Sequence, residues 1–104
     1  MRLRRQRFAD VISRQLDLFE REEAELIREC TETEHAYDRA ERDGAEELYG
    51  DYADLVESGT EALADLRWAY AATLDEGDAE QYEEAFNQAV KKRLPRFGLE
   101  IDLR

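Results

Sequence analysis

Glu32 and His35 are the two residues of this chain whose types and spacing come nearest to a metal-binding motif. They stand three apart in the run Glu-Thr-Glu-His. Residues three apart share one face of a helix, so this carboxylate and this imidazole can bind one ion together. His35 is the single histidine of the chain, and a symmetric dimer would supply a second. The simpler interpretation is a solvated histidine on a charged helix face.

This organisation resembles the encapsulated ferritins, which are half-bundles of about this length that pair to build a metal site. The resemblance covers chain length, a helical hairpin and Glu32-x-x-His35, and it implies iron oxidation at a dimer interface. The chain departs from that family in its second predicted helix, which has no Glu-x-x-His.

Two acidic pairs offer a different chemistry. Glu22 with Glu25 and Asp51 with Asp54 are spaced three apart, and residues 46–51 read Glu-Glu-Leu-Tyr-Gly-Asp. These runs resemble the ExxE and ExxD motifs with which all-α nucleotide pyrophosphohydrolases of the MazG type hold Mg²⁺. One inserted residue shifts the acids about 100° around the helix relative to that pattern. A solvated acidic face is the simpler interpretation.

Charge is distributed unevenly along the chain. The net charge is -12, with +4 on residues 1–14, -19 on residues 15–90 and +3 on residues 91–104. An acidic middle repels phosphates, so nucleic acid is not an expected partner. The same negative charge permits a third functional hypothesis, in which the protein is an acidic mimic of nucleic acid. Basic ends and an acidic middle favour antiparallel or staggered self-assembly.

Composition excludes several other classes of protein. Ala, Glu, Lys, Leu and Arg make up 58 of the 104 residues, a share typical of long helices and coiled coils. A single cysteine, Cys30, excludes a disulfide framework within one chain. No apolar run approaches the roughly 20 residues that span a bilayer, and no apolar segment follows the basic start as in a signal peptide. We therefore expect a cytoplasmic protein without membrane association or cofactor.

The first predicted helix is long. Apolar residues recur three or four apart from Phe8 to Ala40, which predicts one amphipathic helix of about 35–39 residues. Glu23 and Thr33 interrupt its apolar stripe. Asp43-Gly44 is the first plausible break, because glycine suits the residue after a helix end.

Two more helices follow. The second apolar stripe keeps its phase through Gly59 and predicts one helix over about 45–75, which Gly77 ends. Asp78, with Gln81 three residues later, predicts the start of a third helix. Pro95 ends it, since proline cannot continue a helix.

The final residues change period. Apolar residues alternate with others at Phe97, Leu99, Ile101 and Leu103, and this alternation predicts a half-buried strand. A strand has to pair, so we expect it to pair with a second copy, lie in a groove between helices or dock on another protein. The run from Gly98 to Arg104 also resembles the targeting peptides by which cargo docks inside encapsulin shells.

The sequence as a whole predicts an all-α protein with a helical domain over 1–95 and an extended tail over 96–104. The helices form a long antiparallel hairpin plus a short third helix, and two copies pair into a four-helix bundle. Trp68 either packs the third helix or marks an interface. We expect a non-enzymatic assembly or adaptor protein that presents a docking tail to a protein partner. The alternative is a metal-dependent bundle enzyme, either ferritin-like with Glu32 and His35 as metal ligands or a MazG-like nucleotide pyrophosphohydrolase. The predicted interface residues are Ile12, Leu16, Phe19, Leu26, Tyr37, Phe97, Leu99, Ile101 and Leu103.

Overall fold

The structure confirms the prediction of an all-helical chain. The computed structural model describes residues 7–104, and no strand occurs within that range. In chain order its elements are α1 (Ala9–Glu22), α2 (Ala24–Arg39), α3 (Arg42–Ala71), α4 (Glu76–Arg93), α5 (Pro95–Gly98) and a 3-10 turn (Ile101–Leu103). The molecule measures 50 × 23 × 22 Å. None of the helices described over residues 7–104 combines the length and the apolarity that crossing a membrane requires.

A kink at Glu23 divides the first predicted helix into α1 and α2. The residue has φ -106° and ψ 25°, outside the helical region, and it is where a charged side chain interrupts the apolar stripe. Glu23 is bonded to both helices, because its N–H donates to Phe19 O at 2.8 Å and its carbonyl accepts from Ile27 N–H at 2.9 Å. The chain therefore bends at Glu23 without forming a loop.

The turn between α2 and α3 lies three residues before the predicted break. Ala40 and Glu41 are extended, with ψ 146° and 164°, and these two residues reverse the chain. Asp43 and Gly44 occupy the first turn of α3 instead. An acidic residue is stabilised there by the helix dipole, which explains why Asp43 starts a helix where the sequence suggested an end.

The second predicted helix corresponds to α3, which runs through Gly59 without a break, as predicted. Gly59 is buried beneath the ring of Phe97, and a Cβ on this residue would overlap that ring, with Phe97 Cδ1 only 2.9 Å away. The glycine therefore serves a close approach between α3 and the chain end. It does not interrupt the helix.

The boundary between α3 and α4 differs from the prediction. α3 ends at Ala71 and α4 begins at Glu76. Its N-terminal cap is Asp75, whose Oδ1 accepts from the backbone N–H of Asp78 at 2.9 Å. Asp78 was the predicted cap, and Gly77 was the predicted end of the preceding helix. Both lie in the first turn of α4, because an aspartate three residues earlier caps it.

Residues 95–103 form helical turns where the sequence predicted a strand. Phe97 and Ile101 are buried, whereas Leu99 and Leu103 are 86% and 82% exposed. An alternation of period two contains a period of four, so helical turns place its first and third members on one face and the others on the opposite face. Gly98 permits this packing, because a Cβ there would lie 2.9 Å from Lys91 Cα.

The two ends of the molecule are packed differently. At one end α1, α4, α5 and the second half of α3 enclose a core with edge-to-face ring contacts, such as Phe19 with Phe97 at 5.5 Å. Its almost fully buried side chains are those of Leu16, Phe19, Leu63, Tyr82, Phe86, Val90, Phe97 and Ile101. At the other end α2 and the first half of α3 extend as an antiparallel pair. We call residues 31–58 the hairpin arm, and no residue within it is buried.

Candidate interaction surfaces

The predicted interface residues divide between the core and the surface. Five of the nine are at most 4% exposed within a single chain: Ile12, Leu16, Phe19, Phe97 and Ile101. The first three lie on α1, which the kink at Glu23 lays against the rest of its own chain. Leu26 is half-buried against the core. Tyr37, Leu99 and Leu103 are exposed and remain available to a partner.

Trp68, Leu99 and Leu103 are large apolar side chains that are 72%, 86% and 82% exposed. Trp68 therefore does not pack α4. Arg104 pairs with Glu57 and Glu61 of α3, and helical periodicity places Trp68 within about 40° of those two glutamates around α3. Trp68 therefore lies on the side of α3 along which Arg104, the residue after Leu103, is held. We call Trp68, Leu99 and Leu103 the C-terminal patch.

A buried arginine anchors the chain segment that carries this patch. Arg67 is 6% exposed, and its Nη1 donates to Asn87 Oδ1 at 2.7 Å and to the carbonyl of Ile101 at 3.0 Å. Asn87 Nδ2 then donates to Asp102 Oδ1 at 3.1 Å. Hydrogen bonding to the carbonyl of Ile101 fixes the 3-10 turn against α3 and α4.

The carboxylate at the end of this network is held in its charged form. Lys91 forms an ion pair with Asp102, and its hydrogen bond lowers the pKa of that carboxyl below the ordinary value. Sequence reasoning did not find the network, because nothing local marks Arg67 as buried or Asn87 as its acceptor.

Acidic residues border the C-terminal patch. Glu57, Glu61 and Glu100 all lie within 3.8 Å of the Arg104 guanidinium. Their side chains remain more than half exposed, so one arginine neutralises only part of this charge. An apolar surface with an acidic border is complementary to a partner that combines apolar and basic residues.

The hairpin arm presents two exposed tyrosines. Tyr37 and Tyr49 have ring centroids 6.1 Å apart and are 42% and 61% exposed. Beside them lies a shallow groove of about 380 Å³ lined by Ala45, Glu46 and Gly50 as well. Tyr37 was a predicted interface residue, and Tyr49 was missed because its contact depends on the antiparallel register of α2 and α3.

A polar cluster joins the hairpin arm to the core. Arg96 donates through Nε to Tyr52 Oη at 3.2 Å and through Nη2 to Glu34 Oε1 at 3.3 Å. Tyr52 Oη donates to Glu34 Oε2 at 3.2 Å. Cys30 is wholly buried nearby, and burial raises the pKa of its thiol despite the proximity of Arg96. The cluster holds α2, α3 and α5 together, and burial keeps Cys30 protonated at neutral pH.

The structure does not bring metal-ligand candidates together. Glu32 pairs with Arg28 at 2.6 Å, and His35 is exposed on the same helix. In the part of the chain that the structure describes, residues 7–104, no three His, Cys, Asp or Glu side chains cluster closely enough to hold one ion. Of the acidic pairs, Glu25 is paired with Arg28, whose hydrogen bond lowers the pKa of the carboxyl.

Comparison with protein-family models, with curated proteins and with solved structures finds no match to this chain.

Proposed function

We propose that this chain is a non-enzymatic assembly or adaptor protein, which forms homo-oligomers and binds another protein through the C-terminal patch. The observation that carries the proposal is the exposure of Trp68, Leu99 and Leu103 on a backbone that is itself rigidly held. Tryptophan is enriched among the residues that dominate protein–protein binding. Burying one leucine side chain is worth roughly 1.5–3 kcal/mol, so this patch supplies a useful part of a binding free energy.

The segment that carries Leu99 and Leu103 is anchored to the core, and this anchoring favours binding as well as folding. Phe97 and Ile101 fix the chain on the core side of α5 and the 3-10 turn, and Arg67 bonds the carbonyl between the two exposed leucines. A partner therefore meets side chains whose backbone is already ordered. Preorganisation of this kind lowers the entropy that binding has to overcome.

Charge defines the chemistry of the partner. The acidic border formed by Glu57, Glu61 and Glu100 favours a protein segment that carries Lys or Arg around an apolar centre. Contact with such a segment would also satisfy the remaining negative charge around Arg104.

Photo-crosslinking in the producing cell tests the proposal. A photoreactive amino acid at position 99 or 103 is compared with the same amino acid at position 46, on the exposed face of the hairpin arm. We expect adducts to a distinct protein from positions 99 and 103, and their loss in Trp68→Ala. Identical adducts at all three positions would contradict the assignment of the patch. Because all these side chains are exposed, circular dichroism should show unchanged helicity.

A further inference from the structure

The outer face of α4 is a second exposed surface of the molecule. Its inner face carries Tyr82, Phe86 and Val90, which are wholly buried. Helical periodicity places Gln81, Glu84, Gln88 and Lys92 within about 40° of the line through Gln88, on the opposite side of the helix. Glu84, Gln88 and Lys92 are exposed.

This outer face borders a groove between α1 and α4. The groove has a volume of about 1180 Å³, and small residues line it on both sides: Ala9, Ser13, Ala85 and Ala89. Small side chains allow the axis of another helix to come close, because interaxial distance depends on the residues at the contact. The groove therefore has the shape to receive a helix.

Charge along α4 is separated between its halves. The first half carries five acids at positions 76, 78, 80, 83 and 84, and the second half carries three bases at positions 91–93. Two of those bases are already paired within the chain, since Lys91 contacts Asp102 and Arg93 contacts Asp17 and Glu20. Within residues 7–104, neither Glu84 nor Lys92 has an ion pair at 4.0 Å or less.

Of the unpaired charges on α4, Glu84 and Lys92 are symmetric about Gln88. Glu84 precedes it by four residues and Lys92 follows it by four, so their Cα atoms are about 12 Å apart along the helix axis. That separation prevents a direct pair within one helix. An antiparallel second α4 with its two-fold axis at Gln88 places each Glu84 opposite the other copy's Lys92 and the two Gln88 amides opposite each other.

We propose that a second copy of this chain docks its α4 antiparallel in the groove between α1 and α4, with the two-fold axis at Gln88. The inference rests on the proposed function, whose homo-oligomer it assigns to a surface separate from the C-terminal patch. Self-complementarity about a single residue is the property that a two-fold symmetric interface needs. Antiparallel helices also align their dipoles favourably.

Reversing the charges at positions 84 and 92, singly and together, tests this arrangement. Sedimentation velocity over a range of concentrations gives the dimer dissociation constant for the wild type, E84K, K92E and the double variant E84K/K92E. Each single reversal creates two like-charge contacts across the axis, and we expect it to weaken the dimer about tenfold or more. The double variant restores opposite charges and should return the dissociation constant to near the wild-type value. Glu46→Lys and Arg42→Glu, on the hairpin arm, carry the same charge changes as controls.

A second measurement fixes the register. Gln88→Cys lies on the proposed axis, and Glu76→Cys lies about 18 Å away along the helix. Under mild oxidation we expect a covalent dimer from Gln88→Cys and none from Glu76→Cys. A stable dimer that is insensitive to all charge reversals would overturn this interface while leaving the homo-oligomer in place. A wild-type protein that stays monomeric throughout would overturn both, and crosslinking at the C-terminal patch would still report on the adaptor role.

Discussion

The core end and the hairpin arm of this molecule are stabilised by different forces. The core end buries whole aromatic and aliphatic side chains, including Leu63, Tyr82 and Phe86 at 0% exposure. The hairpin arm consists of two helices, so each of its apolar side chains is covered on one side only. It also carries ten acids against two arginines within residues 31–58. The fold therefore joins a region that burial stabilises to a region that repulsion among its own acidic side chains destabilises.

This difference indicates where the chain opens first. Local unfolding is easiest in segments with few buried contacts, and the arm has no buried residue. Arg96 joins the two regions, because it contacts both Tyr52 and Glu34 from α5. Each of the predictions below changes one side of this contrast.

The largest effect is expected from Phe97→Ala. Phe97 packs over Gly59 and against Phe19, so truncation leaves a cavity where three elements meet. A buried Phe→Ala change costs about 3–5 kcal/mol. Urea denaturation should show that loss in the free energy of unfolding. Leu99→Ala, two residues away and 86% exposed, is the matched control and should change stability by less than about 0.5 kcal/mol.

Alkaline pH should destabilise the core through ionisation of the buried Tyr82. Burial raises the pKa of Tyr82 from 10.0 to about 12, partly offset by its hydrogen bond to Gln15. A folded-state pKa above the unfolded value means that this contribution is complete below pH 10 and is lost as the pH rises towards 12. The difference corresponds to about 3 kcal/mol.

Tyr82→Phe separates this effect from general alkaline denaturation. The variant loses the hydrogen bond to Gln15, whose length is 2.8 Å, so we expect about 1 kcal/mol lower stability at pH 7. Its decline between pH 10 and 12 should be shallower than that of the wild type. If stability falls equally steeply with pH in the two proteins, Tyr82 does not govern the loss of stability at alkaline pH.

Arg96→Gln should loosen the hairpin arm selectively. The change removes the contacts from α5 to Glu34 and Tyr52, and hydrogen bonds to charged groups are worth about 1.5–3 kcal/mol. Hydrogen exchange should become faster in the second half of α2 while amides of α4 keep their protection. Arg104→Gln breaks the ion pairs to Glu57, Glu61 and Glu100 and leaves Glu34 and Tyr52 in place, so it serves as the control. Uniform acceleration along the whole chain would contradict a separate opening of the arm.

Salt should stabilise the arm more than the core. Repulsion among its ten acids is screened as the Debye length falls to about 10 Å at 0.1 M salt. We expect the thermal midpoint to rise with salt and also to rise slightly on mild acidification towards pH 5. A midpoint that is independent of salt would indicate that local pairs, such as Arg28 with Glu25 and Glu32, already balance the charge.

The smallest effect is expected at His35. Its side chain is exposed, and Glu32 is engaged by Arg28. His35→Ala should leave helicity unchanged and stability within about 0.5 kcal/mol. Stoichiometric iron or zinc in protein purified without chelator, lost in this variant, would instead support the metal-dependent reading.

Elements of the fold that depend on local pattern were predictable from the sequence. Apolar periodicity predicted the continuity of α3 through Gly59, and Pro95 predicted the end of α4. The choice between a burial partner within the chain and one from a second chain was not predictable. Ile12, Leu16 and Phe19 form an apolar stripe in either case, and only the kink at Glu23 decides that α4 covers it.

The surfaces were harder to predict than the helices, for two physical reasons. The alternation from Phe97 to Leu103 fits a strand or successive helical turns, and only the close approach at Gly98 distinguishes them. Nothing in the sequence distinguishes Arg67 from an exposed arginine, because its contact with the carbonyl of Ile101 depends on tertiary packing. Both features depend on contacts between residues that are distant in the sequence.

The kink at Glu23 is also the point at which α1 and α2 would have to straighten to form one rod. The residue is already bonded to both helices through its N–H and its carbonyl, and its backbone angles are what separates the two. A straight rod would carry Ile12, Leu16 and Phe19 away from their own core, and the α1 of another molecule could fill the vacated site with identical contacts. Such an exchange is domain swapping. A substitution that favours helical geometry at position 23 thus shifts the same set of contacts from within one molecule to between two.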